Sequence, residues 1–375
     1  MDFTFSEDQD AVRELARQIL GDACKPEHLA AIEREAEGDG LDHDLWRSLA
    51  GANLLGVAVP EKQGGSDLGL AALFALLEEA GRALAPVPLL ETLVYAALPI
   101  GEFGTDAQKD RWLSGVVSGE TLLTAALHEV GSSDAANPGV TAKPEGDHWI
   151  LSGQKSCVPL GDLAARILVP AATGDGQIGV FLVDPKSAGV QLEAGLANNF
   201  ERQYVLALDG VKVGPDDVLG DPAAGAEIVN WLVVRARTAI AAIELGVCDA
   251  ALRMTAEYTA TRKQFGRPIG TFQAVTMRAA DSFVDLECMK STLWQAAWRL
   301  EEGLPAASYV NAAKWWACRG GNRVVHTAMH LHAGTGADID YPVHRYFLWS
   351  KHLELLLGGA GRQLAEIGAA AAAEA

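Results

Sequence analysis

The stretch of sequence that decides the fold reads YTATRKQFGRPIGTFQ and covers residues 258–273. It ends an apolar segment over 228–261, and such broad apolarity predicts a long helix buried between neighbouring helices. Gly266 and Pro268 predict a tight turn after this helix, because both residue types interrupt helices. A second helix is expected to begin near Phe272. The stretch is therefore a junction between two helices.

The same stretch brings positive charge and amide groups to that junction. Arg262 and Lys263 lie at the predicted C-terminal end of the long helix, where cations interact favourably with the helix dipole. One interpretation is a capped helix end followed by a turn. The other is an anion clamp, in which a guanidinium binds a pyrophosphate while Phe265, Gln264 and Gln273 approach a nucleotide base. The residues alone leave both interpretations open.

Outward from this junction, the apolar patterning divides the chain into three parts. Residues 1–120 show helical spacing of apolar side chains. Residues 121–222 hold short apolar or alternating runs separated by Gly and Asp clusters, which is typical of a small β domain. From residue 226 the pattern is helical again. The helices predicted there are 228–261, 271–302, 305–333 and 342–367.

Composition and charge exclude several classes of function. The 375 residues include 30 Lys and Arg against 49 Asp and Glu, for a formal net charge of −19. Such an acidic chain offers no basic surface for a nucleic-acid backbone. The five cysteines are odd in number and far apart, which argues against both a disulfide framework and a zinc site. Without a signal-peptide pattern or a membrane-length apolar run, we expect a cytoplasmic protein.

Four motifs in order give the chain a resemblance to the acyl-CoA dehydrogenase family over its whole length. Residues 258–273 resemble the RxQFGxPI motif and its following FQ. Residues 59–65 resemble the PExxGG turn, residues 147–155 the central GDxYxLxGxK hairpin, and residues 330–342 the QxxGGxG segment with its YP. The resemblance implies an N-terminal helical domain (1–120), a middle β-barrel domain (121–222) and a C-terminal four-helix bundle (223–375). The implied fold class is thus mainly α with a β-barrel insert.

The resemblance also implies chemistry. Members of the family bind FAD and an acyl-CoA thioester, form dimers or dimers of dimers, and pass electrons to an electron-transfer flavoprotein or a similar acceptor. A carboxylate removes the α-proton of the thioester while the β-hydride moves to the flavin. The ADP half of FAD is held by the RxQFG and QxxGGxG segments of the adjoining subunit. The cofactor-binding residues implied for this chain are Arg262, Gln264, Phe265, Gln273, His330 and Gly334.

The position of the catalytic base departs from the family. The family's Glu precedes a Gly-Thr near the C-terminus, and the matching residue here is Leu357, followed by two glycines. Other members place the base on the long helix, one residue before an Arg that matches Arg237, and Ala236 stands there. Neither Leu nor Ala can accept a proton. Glu354 is a weaker alternative, one helical turn before Leu357 if the predicted helix is continuous.

The segments that contact the flavin ring in the family depart as well. His128 stands where the family has a Thr at the pyrimidine edge of the flavin. Cys157 replaces the Trp that stacks on the ring, and Pro159 replaces a Thr whose hydroxyl reaches toward N5. By contrast, the residues expected to hold the ADP half are largely kept, with His330 for the usual Gln and Ala333 for a Gly.

Three readings fit this pattern. The first makes the chain the non-catalytic, FAD-clamping subunit of a heteromeric acyl-CoA dehydrogenase, paired with a paralogous subunit as a heterotetramer, as in bacterial sterol side-chain catabolism. The second is a self-sufficient enzyme with a displaced base such as Glu354. The third is a non-enzymatic scaffold or ligand-binding use of the fold. A metal site is not expected, since His326 and His330 lie on a predicted helix without a nearby carboxylate.

Overall fold

The computed structural model describes residues 5–35, 38–132 and 134–374, with only the backbone of Glu374. The outer domain limits expected at residues 1 and 375 lie outside these residues. The α-helices are α1 (Glu7–Ala23), α2 (Pro26–Arg34), α3 (His43–Gly51), α4 (Gly69–Ala83), α5 (Leu98–Phe103), α6 (Asp106–Val117), α7 (Gly225–Thr261), α8 (Gln273–Glu301), α9 (Ala307–His332), α10 (Val343–Leu355) and α11 (Ala360–Glu374). A π-helical segment (Leu90–Ala97) precedes α5.

The strands are concentrated in the middle of the chain. They are β1 (Leu123–Ala125), β2 (Thr141–Glu145), β3 (His148–Pro159), β4 (Arg166–Gly174), β5 (Gln177–Val183), β6 (Val190–Leu196), β7 (Arg202–Val213), β8 (Val218–Leu219), β9 (Lys263–Gln264) and β10 (Arg267–Pro268). The order helical, β, helical confirms the fold class predicted from the sequence.

By packing, the chain forms two compact units. The helical unit comprises Met1–Ala31, Leu70–Ala85 and Arg237–Ala375, and the mixed unit comprises Ile32–Gly69 and Pro86–Ala236. The helical unit thus joins α1 and α4 to the C-terminal helices. The division at residues 120 and 222 that the sequence suggested stays a prediction.

In the helical unit, α4 and α7 approach each other closely through two glycines. A Cβ atom on Gly246 would lie 1.9 Å from the carbonyl oxygen of Glu78, and one on Gly81 would lie 2.0 Å from that of Ile243. No side chain fits between backbones at such distances, so glycine is required at both positions. Gly246 is the single glycine inside the long apolar helix, and this contact accounts for it.

The prediction of one last helix over 342–367 is wrong. Helix α10 ends at Leu355 and α11 starts at Ala360, so the C-terminal bundle contains five helices rather than four. Leu357 adopts φ +52° and Gly358 adopts φ +95°. Both angles lie in the left-handed region, which an α-helix cannot continue through. The break falls at the position where the family would carry its base.

In the mixed unit, one sheet has the order β6-β7-β3-β2-β4-β5-β8, with β1 beside β4. The strands at its two ends, β6 and β8, pair with different neighbours and not with each other, so the expected closed barrel is an open sheet. Strand β8 has only two residues and β6 is mostly exposed, which leaves too little paired backbone for closure. Phe181, Ile167 and Leu206 are fully buried in its core.

Candidate functional site

The junction after α7 folds as a two-residue hairpin between β9 and β10. Arg267 pairs with Gln264, and Phe265 and Gly266 form the turn with φ +52° and +77°. Positive φ at both central residues is the requirement of a type I′ hairpin turn. Phe265 is 92% exposed although it is a large apolar side chain. The expected helix end and tight turn are both present, and the turn presents an aromatic ring to solvent.

The hairpin carries unneutralised positive charge. Arg262, Lys263 and Arg267 are exposed, and none makes an ion pair with a carboxylate within residues 5–35, 38–132 and 134–374. The Arg267 guanidinium lies 4.1 Å from the centre of the Phe272 ring, and the Phe265 and Phe272 rings are 6.1 Å apart in an edge-to-face arrangement. Cations beside an exposed aromatic ring suit the pyrophosphate and base of a dinucleotide, so the donor set fits the ADP half of FAD.

The structure brings the second predicted segment next to this hairpin through aromatic contacts. Tyr258, one helical turn before Arg262, stacks on His332 with ring centres 4.3 Å apart and an interplanar angle of 27°. Tyr341 contacts both rings, at 6.2 Å and 5.2 Å between centres. His332 follows His330 by two residues. The ends of α7 and α9 are thereby joined.

The predicted residues of this second segment are accessible. His330 and Gly334 are exposed, as are Gln264 and Gln273 in the first segment. A Cβ atom on Gly334 would meet nothing within 4 Å, so packing within the chain does not require glycine there. On Gly336, a Cβ atom would lie 2.8 Å from the carbonyl oxygen of Met329. The packing of its own turn therefore requires glycine at position 336.

A polar cleft of about 660 Å³ lies between α8 and α9. Asp281 and Asp285 line it together with His326 and His330, so the expectation that no carboxylate lies near these histidines is wrong. Asp285 forms an ion pair with Arg323. Among the described residues, no group of three or more His, Cys, Asp or Glu side chains is placed to hold a metal ion.

The residue at the family's base position, Leu357, is held from several sides. Its side chain is 3% exposed, and its carbonyl oxygen accepts hydrogen bonds from Arg237 Nε at 3.2 Å and from Gln363 Nε2 at 3.3 Å. Gln363 Nε2 also donates to the carbonyl of Gly358 at 3.0 Å. Ala236, at the alternative position, is fully buried. We call residues 355–359 with these contacts the Leu357 turn.

Arg237 is anchored by a carboxylate and an amide. Its Nη1 and Nη2 donate to the Glu366 carboxylate at 2.5 and 3.0 Å, and Nη1 donates to Asn311 Oδ1 at 2.9 Å. Burial raises the pKa of Glu366, but the hydrogen bonds from Arg237 and Arg362 outweigh it and hold the pKa below its usual value. The Glu366 carboxylate is therefore charged at neutral pH.

Lys314 holds the backbone on the N-terminal side of the Leu357 turn. Its fully buried Nζ donates to the carbonyl oxygens of Leu353 at 2.7 Å and Glu354 at 3.3 Å, at the C-terminal end of α10. An ammonium at this end also interacts favourably with the helix dipole. The backbone on both sides of the Leu357 turn is therefore fixed by buried side chains.

Glu354, the alternative base, is committed to other partners. Its Oε2 accepts hydrogen bonds from Asn322 Nδ2 and Lys351 Nζ, both at 3.0 Å. Burial raises the pKa of Glu354, yet these two donors lower it below the usual value. Because α10 ends at Leu355, the reasoning that placed Glu354 and Leu357 on one helical face fails.

A second buried carboxylate, Glu244, lies among three helices of the bundle. Its Oε1 accepts from Ser350 Oγ at 2.6 Å and from Cys248 Sγ at 3.3 Å, while its Oε2 is buried with no partner. Its hydrogen-bond partners are thus a hydroxyl and a thiol. Burial, opposed by these hydrogen bonds, raises the pKa of Glu244 to about 7.

In the mixed unit, the altered flavin-contacting residues cluster at a bulge in β3. The pairing of β3 with β7 shifts register between Lys155 and Val158, and Cys157, between them, is exposed with φ +51°. Pro159 is buried. Glu129 accepts hydrogen bonds from Lys155 Nζ at 2.6 Å and from the backbone of Gly139. An ion pair therefore occupies the region beside the position where the family has its aromatic ring.

Sequence reasoning missed the buried residues that support the candidate site. Tyr258 and His332 join the two segments, and Lys314, Asn311 and Gln363 fix the Leu357 turn. A signal existed for Lys314, since it is a lone cation in an apolar stretch of α9. No described helix is both long enough and apolar enough to cross a membrane.

Comparison with known proteins agrees with the fold. The family profile described as "Acyl-CoA dehydrogenase, N-terminal domain" matches residues 6–120, and "Acyl-CoA dehydrogenase, C-terminal domain" matches residues 223–372. The acyl-CoA dehydrogenase FadE27 of Mycobacterium tuberculosis is 39% identical over 98% of both chains.

Two solved structures are also similar. A chain of a variant of the Tcur3481-Tcur3483 steroid ACAD is 47% identical, with a TM-score of 0.91 over 98% of this chain and 99% of that one. A chain of the ChsE4-ChsE5 complex from Mycobacterium tuberculosis is 39% identical, with a TM-score of 0.93 over 99% of each. The chain therefore belongs to the acyl-CoA dehydrogenase family of oxidoreductases, whose cofactor is FAD.

Proposed function

We propose that this chain is the non-catalytic, FAD-clamping subunit of a heteromeric acyl-CoA dehydrogenase, and that a paralogous subunit supplies the Glu base. The observation that carries the proposal is the Leu357 turn. At the position of the base stands a buried leucine whose carbonyl oxygen is held by Arg237 and Gln363. A hydrocarbon side chain cannot remove the α-proton of a thioester, so the chain needs a carboxylate from elsewhere.

Neither Glu354 nor Glu244 is suited to replace it. Glu354 is ion-paired with Lys351 and has a lowered pKa, which makes it a poor proton acceptor. Glu244 is 2% exposed and enclosed by Ser350 and Cys248, so an acyl-CoA has no route to it. These contacts argue against the self-sufficient enzyme with Glu354 as its base.

The exposed hairpin supplies the part that the chain contributes. Arg262 binds the pyrophosphate, Phe265 packs against the adenine, and Gln264 and Gln273 donate or accept at the base and ribose. His330 and the open backbone at Gly334 complete the same clamp. When bound, FAD accepts the β-hydride of the substrate. The chain's own residues hold the ADP half and thereby orient the cofactor, which also argues against a purely non-enzymatic scaffold.

The similar proteins support a partner of the same family and a steroid substrate. Their names describe two-component assemblies, Tcur3481-Tcur3483 and ChsE4-ChsE5, and the first is called a steroid ACAD. We extend both features to this chain, as a heterotetramer acting on a steroid acyl-CoA. An electron-transfer flavoprotein as acceptor and a cytoplasmic location belong to the same proposal.

The test is to express the chain alone and together with its paralogue, and to measure FAD per chain and acyl-CoA oxidation. We expect turnover only in the co-expressed complex, with about one FAD per two chains. Arg262→Ala in this chain should reduce FAD affinity about ten- to a hundred-fold, as for the loss of a charged hydrogen-bond donor. Arg319→Ala removes an exposed arginine of α9 and serves as the control.

Two outcomes contradict the proposal. Stoichiometric FAD and acyl-CoA oxidation by the chain alone would establish a self-sufficient enzyme, and loss of that activity in Glu354→Gln would identify its base. Recovery of the chain in a complex that contains no flavin would instead establish the scaffold.

A further inference from the structure

The two segments of the FAD clamp are joined by a stack of three aromatic side chains. Tyr258 lies at the end of α7, His332 is the last residue of α9, and Tyr341 lies in the turn before α10. The His332 ring is nearly parallel to that of Tyr258, with centres 4.3 Å apart, and tilted at 48° to that of Tyr341. The histidine is thus the part of the stack that belongs to the His330–Gly334 side of the clamp.

His332 is buried with one of its two ring nitrogens unpartnered. The side chain is fully buried, and Nδ1 lies 2.8 Å from the carbonyl oxygen of Ala328. A carbonyl only accepts, so Nδ1 carries the proton and Nε2 is the unprotonated nitrogen of a neutral ring. Nε2 is buried without a hydrogen-bond partner. A proton on Nε2 would therefore be a buried, unpaired donor on a charged ring.

The backbone around His332 leaves its ring little freedom. Ala333, the next residue, has φ +52° and ψ −131°, a conformation that favours glycine. A Cβ atom on Gly336 would approach His332 Cβ to 3.3 Å, so the turn closes directly over the base of the side chain. The ring position is set by the turn, and the ring in turn contacts the end of α7.

The groups that face the ring do not stabilise a positive charge enough to offset burial. They are the phenols of Tyr258 on α7 and Tyr341 in the following turn, with Glu257 acting on Tyr341. A stacked phenol attracts a cation. Nevertheless burial lowers the pKa of His332, against the opposing effect of the Ala328 hydrogen bond.

We propose that neutral His332 is a positioning residue of the FAD clamp, whose ring holds the Arg262 hairpin and the His330–Gly334 segment at a fixed spacing, and whose protonation opens the clamp. The inference rests on the proposed function. Because the pKa of His332 is lowered in the folded state, the neutral ring is present above pH 6.5. As the pH falls below that value, protonation is favoured in conformations where the stack is open, and FAD is released.

The experiment uses the co-expressed complex and measures FAD release by flavin fluorescence between pH 8 and pH 5. We expect release several-fold faster at pH 5.5 than at pH 7.5 in the wild type. His332→Phe keeps an aromatic ring in the stack without a titratable nitrogen, so its release should vary little with pH. His332→Ala removes the ring, and FAD affinity should fall about ten-fold at every pH.

The control is His326→Phe, which removes another α9 histidine with a lowered pKa, whose ring packs on Phe347 outside the stack. It should keep the wild-type pH profile. A wild-type profile in His332→Phe overturns the inference, whether or not His332→Ala folds. Arg262→Ala distinguishes the two proposals: FAD retention in that variant refutes the clamp itself, whereas FAD loss there with an unchanged His332→Phe profile refutes only the role of His332.

Discussion

The Arg262 hairpin and the Leu357 turn lie in the same helical unit and treat their polar groups in opposite ways. In the hairpin, three cations and an aromatic ring face solvent, and none of these charges is neutralised by a carboxylate within the described chain. In the Leu357 turn and the last turn of α10 before it, the carbonyl oxygens of residues 353, 354, 357 and 358 each accept a hydrogen bond from a buried side chain. The hairpin therefore has charges free to bind a ligand, whereas the polar groups of the Leu357 turn are satisfied within the chain.

This difference separates the polar groups that are available for binding from those that stabilise the fold. Unsatisfied exposed charge contributes nothing to the fold, so its presence is explained by what it binds. Satisfied buried charge contributes to the fold and presents nothing to a substrate. Leu357, at the position that the resemblance assigns to the catalytic base, is part of the core, while the exposed hairpin stays open.

The largest effect should follow from breaking the Leu357 turn with Arg237→Ala. This variant leaves the carbonyl of Leu357, the amide of Asn311 and the Glu366 carboxylate without their shared partner. Removing one member of a buried charged network costs about 3–5 kcal/mol of unfolding free energy, although Glu366 is partly exposed and the low end is expected. Urea denaturation measures it.

Arg362→Ala is the matched control for Arg237→Ala. Arg362 Nε donates to the same carboxylate at 2.7 Å, but the side chain is 28% exposed. The expected loss is below about 1 kcal/mol. Equal losses in the two variants would show that the turn depends on the charge of Glu366 and not on the contact from Arg237 to the backbone.

In the core of the helical unit, Glu244 should contribute to the pH dependence of stability. Its folded-state pKa of about 7 lies above its ordinary value of 4.5, so the proton is held in the folded state and released on unfolding. The resulting stability is present below pH 4.5 and is lost as the pH rises through 7, by on the order of 3 kcal/mol. Glu244→Gln, which resembles the protonated acid, should therefore stabilise the chain at pH 8 and change little at pH 4.5.

Glu354→Gln should change the pH dependence of the unfolding free energy in the opposite direction. The pKa of Glu354 is lowered, so its contribution is present above the ordinary value and is lost as the pH falls. Because the side chain is 26% exposed, the effect should stay below about 1 kcal/mol. If the difference in unfolding free energy between wild type and Glu244→Gln does not grow from pH 4.5 to pH 8, the buried acid is ionised throughout and the assignment is wrong.

In the exposed Arg262 hairpin, Phe265→Ala should weaken FAD binding without affecting the fold. The ring is 92% exposed, so its removal should change the unfolding free energy by less than about 0.5 kcal/mol. An aromatic side chain stacked on a base contributes about 1–3 kcal/mol, which predicts roughly ten-fold weaker FAD binding. Leu364→Ala, which removes an exposed apolar side chain of α11, should leave FAD binding unchanged.

The same contrast explains how far the sequence could predict the structure. The tight turn was predictable because Gly266 and Pro268 both interrupt helices. The cations beside it were noticeable because the chain as a whole is acidic. The break after α10 was not predicted, although two glycines follow Leu357, because a leucine in the left-handed region has no sequence signal of its own. Which polar groups satisfy the turn was equally hidden, since Lys314 lies 39 residues from the Leu353 carbonyl that it binds and Arg237 lies 120 residues from that of Leu357.

The open sheet was missed for a related reason. Strand β6 alternates weakly, carries Glu193 and Gly195, and is mostly exposed, so its pattern does not distinguish an edge strand from a loop. Strand β8 has two residues, too few to show any period. Barrel closure depends on pairing between distant strands, which local patterning does not report.

A small effect is expected at Ala333, where the backbone after α9 is strained. Its φ of +52° with ψ of −131° is a conformation that costs a non-glycine residue about 1–3 kcal/mol. Ala333→Gly removes that cost but adds about 0.4–1 kcal/mol of backbone entropy to the unfolded chain, so a net stabilisation of about 1 kcal/mol should appear in urea denaturation. Ala337→Gly, at an exposed position of the same turn with ordinary backbone angles, should instead destabilise the chain by about 0.5–1 kcal/mol. If both variants destabilise equally, Ala333 carries no strain, and the turn over His332 is held by the stack alone; if Ala333→Gly stabilises the chain but speeds FAD release, strain in this turn helps to hold the clamp in place.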